Sequence, residues 1–406
     1  MSYHVRTSCR LCGGSALDVV LQLESTPAAN DFVLPDQIST PQEVFPLYLV
    51  QCMHCDHVQL PVVLSPQILF SNYVYVSGTS SKFVKHFENY ALEMIQRFNL
   101  KPGDLVVDIG SNDGTLLRFF KNAGMRVVGV DPAKLISEHA TLSGIETLCA
   151  FFDRLTANAI LSKHGYASLV LANNVFAHAD DLAEIAHGVR DLIHPDSGWF
   201  VFEVQYLVDM VENTLFDMVY HEHLSYHSVK PLMNFFSSLG MSLVDVLPVD
   251  THGGSIRGTV AMRKGLEPSI STLRLLERER VFLLGDPFGD MDRRIGNARE
   301  QLNEVLSRVI GEVIGYGAPA KLTTLMYQFN IASNQIKFVV DDSQWKQGML
   351  TPGKHIPVVP PSQLLARENN PEIIIIFAWN FADQIINKYP QFRGSYVVPL
   401  PKLKRH

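Results

Sequence analysis

Positive charge is in short supply in this chain. Its 34 Lys and Arg are outnumbered by 41 Asp and Glu, for a net charge of -7 and a pI near 6.1. That balance offers no electrostatic case for nucleic acid or a membrane as the main partner. No window approaches the ~18 uninterrupted apolar residues of a membrane span. The opening stretch, MSYHVRTSCRLCGG, has no basic segment followed by an apolar run, so no secretory signal is expected and the cytoplasm is the default. Low-complexity tracts and short tandem repeats are missing too. Charged residues make up 18% and hydrophobic residues 47%, which argues against disorder. At 406 residues the chain is too long for one ordinary core, so two or three domains are expected.

Cysteine is also scarce, but four of the five are placed with purpose. Cys9-Arg-Leu-Cys12 and Cys52-Met-His-Cys55 form two CxxC knuckles. Each turn points two thiolates at one tetrahedral ion, and two turns complete a structural four-cysteine zinc site with no open position for substrate. A redox pair and chance are the rival readings. Cys149, left over after an expected strand, reads as a buried free thiol.

The rest of the chain divides by pattern. Residues 1–66 hold the knuckles, with loops between them. Residues 67–265 alternate apolar runs (DLVVDIG, MRVVGVD, ASLVLANNV, GWFVFEV) with amphipathic stretches, as in a parallel sheet covered by helices. Residues 266–310 read as a connecting helical segment, with Ile295, Ala298, Leu302, Leu306 and Val309 on one face. Residues 311–406 alternate again (IKFVVDD, EIIIIFAWN, SYVVPL) and form a smaller unit of the same style. The fold class is α/β.

One corner invites a ligand. DLVVDIG ends at Gly110, and a helix is expected to begin near Asp113 or Gly114. The three glycines of the dinucleotide fingerprint are not there, so the corner lacks a pyrophosphate cradle. The next strand ends in Asp131, 21 residues past Gly110 and placed to take both hydroxyls of a ribose. An acid that reads a ribose without a phosphate nest suits a nucleoside with a short charged tail, namely S-adenosylmethionine. A nicotinamide cofactor and an empty corner remain as alternatives. The candidate cofactor residues are Asp108, Gly110, Ser111, Asn112, Asp113, Gly114, Thr115, Asp131 and Pro132, joined by Asn173 and Asn174 at the end of a later strand.

A second stretch asks for chemistry. VYHEHLSYHS packs Tyr220, His221, Glu222, His223, Tyr226 and His227 into eight positions, and His178 lies just past NNVFA. In an extended segment His221 would share a face with His223, and Tyr220 with Glu222. A metal is a rival reading, but no cleanly spaced third ligand accompanies the pair. General acid–base work fits better, because His titrates near neutrality and Tyr can donate to an oxyanion.

The paired knuckles, the GSNDG corner, NNVFAH, YHEHLSY and THGGSIR resemble, in that order, the nucleotide-sugar C-methyltransferases, over essentially the whole chain. The resemblance implies a class I S-adenosylmethionine-dependent methyltransferase core with a zinc-binding module ahead of it and a smaller Rossmann-like unit behind. It implies carbon methylation next to the ketone of a nucleotide-linked 4-keto-deoxysugar, typically at C-3, in branched deoxysugar biosynthesis. By the same resemblance His223 is the base, with Tyr220 and Glu222 orienting it or stabilising the enolate. His178 would contact the keto sugar or its enolate. Tyr73 in NYVYVSGTS is the further active-site tyrosine, with Tyr75 in reserve as a substrate contact. His252, Ser255 and Arg257 of THGGSIR, and Gly317 and Lys321 of GYGAPAK, are expected to hold the sugar nucleotide. Arg257 suits a diphosphate, Gly317 lets a helix start approach a phosphate, and Pro319 removes one amide donor there. A monomer or weak homo-oligomer is expected. An O- or N-methyltransferase of another small metabolite and a non-catalytic zinc and S-adenosylmethionine-binding protein are the other readings.

Overall fold

The computed structural model describes residues 2–65, 68–69, 81–251, 253–263, 265–365 and 371–406. Its organising element is the strand Leu105–Ile109, five consecutive buried residues. Such an unbroken apolar run, with no polar alternation, belongs to a strand covered on both faces. It pairs in parallel with Arg126–Val130 on one side and Leu169–Asn173 on the other. Chain order therefore reverses at this strand, and a crevice opens beyond its carboxyl end. Trp199–Gln205 extends the sheet in parallel, and Ser255–Ala261 returns antiparallel beside it. Ser242–Val249 and the short Thr147–Leu148 form the two edges of this seven-stranded sheet.

The same arrangement recurs near the C-terminus. Val313–Tyr316 lies between Val339–Val340 and Ile373–Ile376, all parallel, in a six-stranded sheet closed by Val358–Val359 on one edge and by Ser395–Val398 and Lys404–Arg405 on the other. Here too the order reverses at the first strand. The expected positions of these runs agree with the observed strands. Within THGGSIR, Ser255, Ile256 and Arg257 open the strand Ser255–Ala261.

The third sheet is assembled from distant pieces. Leu17–Thr26, Phe45–Cys52 and Val58–Gln59 come from the N-terminal module, and the fourth strand is Ser225–Tyr226. That last strand is the end of the YHEHLSY segment, so the histidine-rich stretch is folded as part of the cysteine module.

Shared cores bind the units together. In the helix Pro287–Ser307, Met291, Ile295, Leu302 and Leu306 are buried at helical spacing. They pack in one cluster with Leu21, Leu23, Leu47 and Leu49 of the N-terminal sheet and with Ile374 and Ile376 of the C-terminal sheet. Cys9, Cys52 and Cys55 belong to a second cluster that includes Val107, Val170 and Phe202 of the central sheet. Among the described residues no helix is long and apolar enough to cross a membrane.

Candidate active site

The two knuckles fold alike. In each, the amide four residues past the first cysteine donates back to its carbonyl: Gly13 to Cys9 and Asp56 to Cys52, both 2.9 Å. The residue after each second cysteine is left-handed, with φ of +74° at Gly13 and +64° at Asp56. These turns bring the four sulfurs of Cys9, Cys12, Cys52 and Cys55 within 4.8 Å of one another, none in a disulfide. Four thiols so converged fit a tetrahedral zinc ion, which needs four ligands about 2.3 Å from a common centre. Cys149, expected to be buried, is exposed. It follows the two-residue edge strand Thr147–Leu148, where no further strand covers it.

One cavity of about 1510 Å³ opens at the carboxyl ends of both parallel sheets. Its first wall is the Gly110 corner. Gly110 has φ of +70°, and a Cβ there would lie 2.2 Å from Val175. Asp131 closes the corner rather than pointing freely into it: Oδ2 accepts from the Asn112 amide and Oδ1 from the Ala133 amide, each at 2.9 Å. Each oxygen keeps one lone pair toward the cavity. Burial pushes the Asp131 carboxyl up, opposed by those two amides, and burial with the neighbouring Asp131 pushes Asp108 well up. The Ser111 hydroxyl and both amide atoms of Asn173 are buried with no hydrogen-bond partner. Unmet buried polar groups beside a glycine cradle are what a polar ligand satisfies, and S-adenosylmethionine fits this wall. Ser111, Asn112, Asp113, Thr115, Pro132, Asn173 and Asn174 all line the cavity, and Gly114 supplies the left-handed turn into the helix Thr115–Asn122.

The second wall is the histidine-rich segment. It is a turn, not an extended strand, so His221 and His223 do not share a face. His221 turns into the interior, where its Nε2 donates to the Pro46 carbonyl at 3.1 Å and its ring meets Phe45 edge-on. Burial pulls it down to about 4, so it is neutral and structural. Tyr220, Glu222 and His223 face the cavity with His178. The His223 Nδ1 lies 2.8 Å from the Met218 carbonyl and Nε2 lies 2.7 Å from the Tyr220 hydroxyl. A carbonyl can only accept, so Nδ1 carries the proton and Nε2 presents its lone pair to the tyrosine O–H. The His178 ring packs edge-on against His223 at 4.9 Å.

Glu222 is where the three units meet. Its Oε1 accepts from Asn30 of the N-terminal module at 2.7 Å, and Lys346 of the C-terminal unit faces it. Burial pushes the carboxyl up to about 7, against the pull of Asn30 and Lys346. Neither partner was recognisable in the sequence: Asn30 sits in a loop of ordinary composition, and Lys346 follows a strand in a polar run. Lys346 donates to the Ala318 carbonyl at 2.8 Å, which leaves two N–H groups of its ammonium for other acceptors.

The third wall is C-terminal. Gly317 and Lys321 line it as expected. However, the Ala318 amide is already spent on Asp341 at 2.6 Å and Pro319 has none, so the helix start is a poorer phosphate cradle than the glycine suggested. Lys321 donates to Asn380 at 2.9 Å and stands over the Trp379 ring, and burial pulls it down to about 8. Two expected substrate contacts are not in the cavity. Arg257 is forked between Glu203 and Glu93, at 2.6–2.7 Å, and stacked on Tyr90, so its donors are unavailable to a diphosphate. Ser255 is wholly buried and donates to the Thr251 carbonyl. Tyr73, Tyr75 and His252 lie outside the described residues.

Two predictions follow from these walls. Freshly purified protein should carry about one zinc per chain, and Cys52→Ser should lose both the metal and thermal stability; a variant that keeps full zinc content would contradict the four-cysteine assignment. Glu222 should make stability depend on pH. Its folded-state value of about 7 exceeds the ordinary 4.5, so the unfolded chain releases this proton first as pH rises. Stability therefore falls between pH 4.5 and 7, by roughly 3 kcal/mol from this group. Glu222→Gln should remove that part of the slope in denaturant titrations, whereas an unchanged slope would place the titration elsewhere.

Comparison with known proteins matches the chain in three stretches. Residues 9–70 match a zinc binding domain, 83–246 a methyltransferase domain and 250–401 a C-methyltransferase C-terminal domain. The chain is 35% identical over 403 residues to C-methyltransferase NovU of Streptomyces niveus, covering 97% of this chain and 95% of that protein. Solved structures that resemble it include magnesium protoporphyrin IX methyltransferase from Synechocystis PCC 6803 with bound SAH (16% identity, 44% of this chain and 82% of that chain, TM-score 0.35). Another is an S-adenosylmethionine-dependent methyltransferase from Clostridium acetobutylicum (14% identity, 44% and 92%, TM-score 0.36). With a relative this similar along nearly its full length, and with the zinc module and methyltransferase corner both in place, the chain belongs to the C-methyltransferases and is an S-adenosylmethionine-dependent enzyme that methylates carbon.

Proposed function

We propose that the enzyme acts in the cytoplasm, as a monomer or weak homo-oligomer, on a nucleotide-linked 4-keto-deoxysugar and methylates the carbon next to the ketone, typically C-3. The observation that carries this reading is the single cavity shared by three walls of different chemistry. At about 1510 Å³ it exceeds the ~300–1,000 Å³ of an ordinary one-ligand pocket and has room for two ligands side by side. The acidic corner around Asp108 and Asp131 complements a sulfonium and an ammonium. Lys321 and Lys346, across the cavity, complement a diphosphate. Tyr220, Glu222, His223 and His178 line the same cavity. In this reading residues 1–66 hold the zinc, 67–265 bind the methyl donor, 266–310 connect, and 311–406 contribute to binding the sugar nucleotide.

A C–H bond beside a ketone is acidic enough for an enzymic base, because the electron pair left behind delocalises onto oxygen. His223 Nε2, with its tautomer fixed by the Met218 carbonyl, is the proton acceptor. Tyr220 covers the Nε2 lone pair with its hydroxyl; when substrate displaces it, the same O–H is placed to donate to the enolate oxygen. Glu222, near its midpoint at neutral pH, holds a proton or a charge beside the ketone according to what Lys346 and the substrate demand. His178 packs on the His223 ring and limits its rotation. When bound, S-adenosylmethionine supplies an electrophilic methyl group on sulfur; the residues of the Gly110 corner orient it toward the reacting carbon.

His223→Ala should lose both methyl transfer and exchange of the sugar's α-hydrogen with deuterated solvent, by about 10²–10⁴-fold or more. Calorimetric affinity for S-adenosylmethionine should survive. A variant that exchanges at the parent's rate would remove His223 from the base role. A product methyl resonating as a methoxy group rather than upfield on carbon would contradict the proposed reaction.

A further inference from the structure

Behind the second wall stands a buried acid that the proposed chemistry does not use. Asp217 has no exposed surface and lies in the short turn Phe216–Met218, one residue before the carbonyl that accepts from His223 Nδ1. A carboxylate cut off from water needs a donor to keep its place and its charge. Oδ2 accepts from the Trp379 indole N–H at 2.6 Å, and among the described residues Oδ1 has no hydrogen-bond partner. That indole belongs to the C-terminal unit. Met218 and Asn380 line the cavity, whereas their neighbours Asp217 and Trp379 stand behind it. Neither is placed to touch a substrate, so whatever they contribute passes through Met218.

Two contacts seat the indole. The Lys321 ammonium stands over its ring, 3.6 Å from the centroid. Gly253 of THGGSIR packs on its edge: φ there is +85°, and a Cβ would lie 2.8 Å from Trp379 Cη2 and 2.6 Å from Leu215 Cδ1. The Leu215 carbonyl in turn accepts from the Met218 amide at 3.1 Å, so this glycine admits both the indole and the turn that it clamps. On the other flank Thr324 donates to the Val219 carbonyl at 2.7 Å. The Met218 carbonyl between these bonds matters because of what faces the other ring nitrogen. The Tyr220 hydroxyl at Nε2 can donate or accept and suits either tautomer, whereas a carbonyl only accepts. Should the carbonyl swing away, the proton could settle on Nε2 against the tyrosine oxygen. The lone pair that the base needs would then be lost.

We propose that Asp217 and Trp379 are positioning residues: their hydrogen bond holds the Met218 carbonyl on His223 Nδ1 and thereby keeps the lone pair on Nε2. This rests on His223 being the base and adds what keeps it in the competent tautomer. Nitrogen NMR of the full-length protein, with isotope in the histidine rings and the His223 signals identified by their loss in His223→Ala, tests it. At about pH 8, above the ordinary range of an imidazole, the parent should show a protonated Nδ1 and an unprotonated Nε2. Trp379→Phe keeps an aromatic ring without the N–H, and should move the two signals toward each other as the tautomers mix. Asp217→Asn still offers the indole an oxygen, and should keep the parent's pattern. A merely structural bond would cost Trp379→Phe thermal stability and leave the pattern unchanged, and that result overturns the proposal. So does a parent whose proton sits on Nε2, a result that needs no variant to fold. The base assignment fails separately. If His223→Ala exchanges the sugar's α-hydrogen at the parent's rate, His223 is not the base and this proposal falls with it. If His223→Ala loses exchange while Trp379→Phe keeps the parent's pattern, the base stands and only the positioning is overturned.

Discussion

The proposed acid–base cluster hangs on a two-residue β-ladder. Ser225 and Tyr226 pair with Gln59 and Val58, just past the second cysteine knuckle. So short a ladder would not hold alone, and it is reinforced on both sides. The Leu60 amide donates to the Leu224 carbonyl at 3.0 Å, and the guanidinium of Arg10, between the first two cysteines, donates to the same carbonyl at 3.0 Å and to that of Leu60 at 2.7 Å. Arg10 is buried and paired with Asp180. A buried cation whose donors are spent on two carbonyls and a carboxylate is costly to displace. His223 is the residue immediately before Leu224. A zinc ion held by Cys9, Cys12, Cys52 and Cys55 would fix the knuckle that fixes this strand.

The second constraint is topological. Each parallel sheet reverses strand order at its first strand, and each crevice opens at the carboxyl ends. The helix Pro287–Ser307 packs its buried stripe against both the N-terminal and C-terminal sheets, which turns the two crevices toward one space. The Trp379 indole N–H donates to the wholly buried Asp217 at 2.6 Å, one residue before Met218, whose carbonyl sets the His223 tautomer. The proposed acid–base cluster is therefore held from the N-terminal side by the ladder and from the C-terminal side by this bond.

How much of this could be read from the chain depends on how local the cause is. CxxC turns and the Gly110 corner are built from residues within a few positions of one another, so their type and place were legible. Tyr220, Glu222 and His223 were legible as residue types, but not their directions: the segment turns, and His221 leaves the face it would share with His223 in an extended strand. Arg257 looked like a phosphate ligand because nothing near it in sequence reveals Glu93, Glu203 and Tyr90, which consume its charge in the fold. Asn30 and Lys346 were invisible for the opposite reason. Neither carries a motif, and each gains its role only when the fold brings it to Glu222.

In this account the N-terminal module places His223, the proposed base, through Leu224. The most direct measurement is solvent exchange of the substrate's α-hydrogen in Arg10→Met, which removes the guanidinium but none of the four cysteines. Zinc content and S-adenosylmethionine affinity should stay near those of the parent while exchange falls by at least tenfold. Exchange at the parent's rate, in a variant that has lost the Arg10 bonds to Leu60 and Leu224, would show that the catalytic segment holds its geometry without the module.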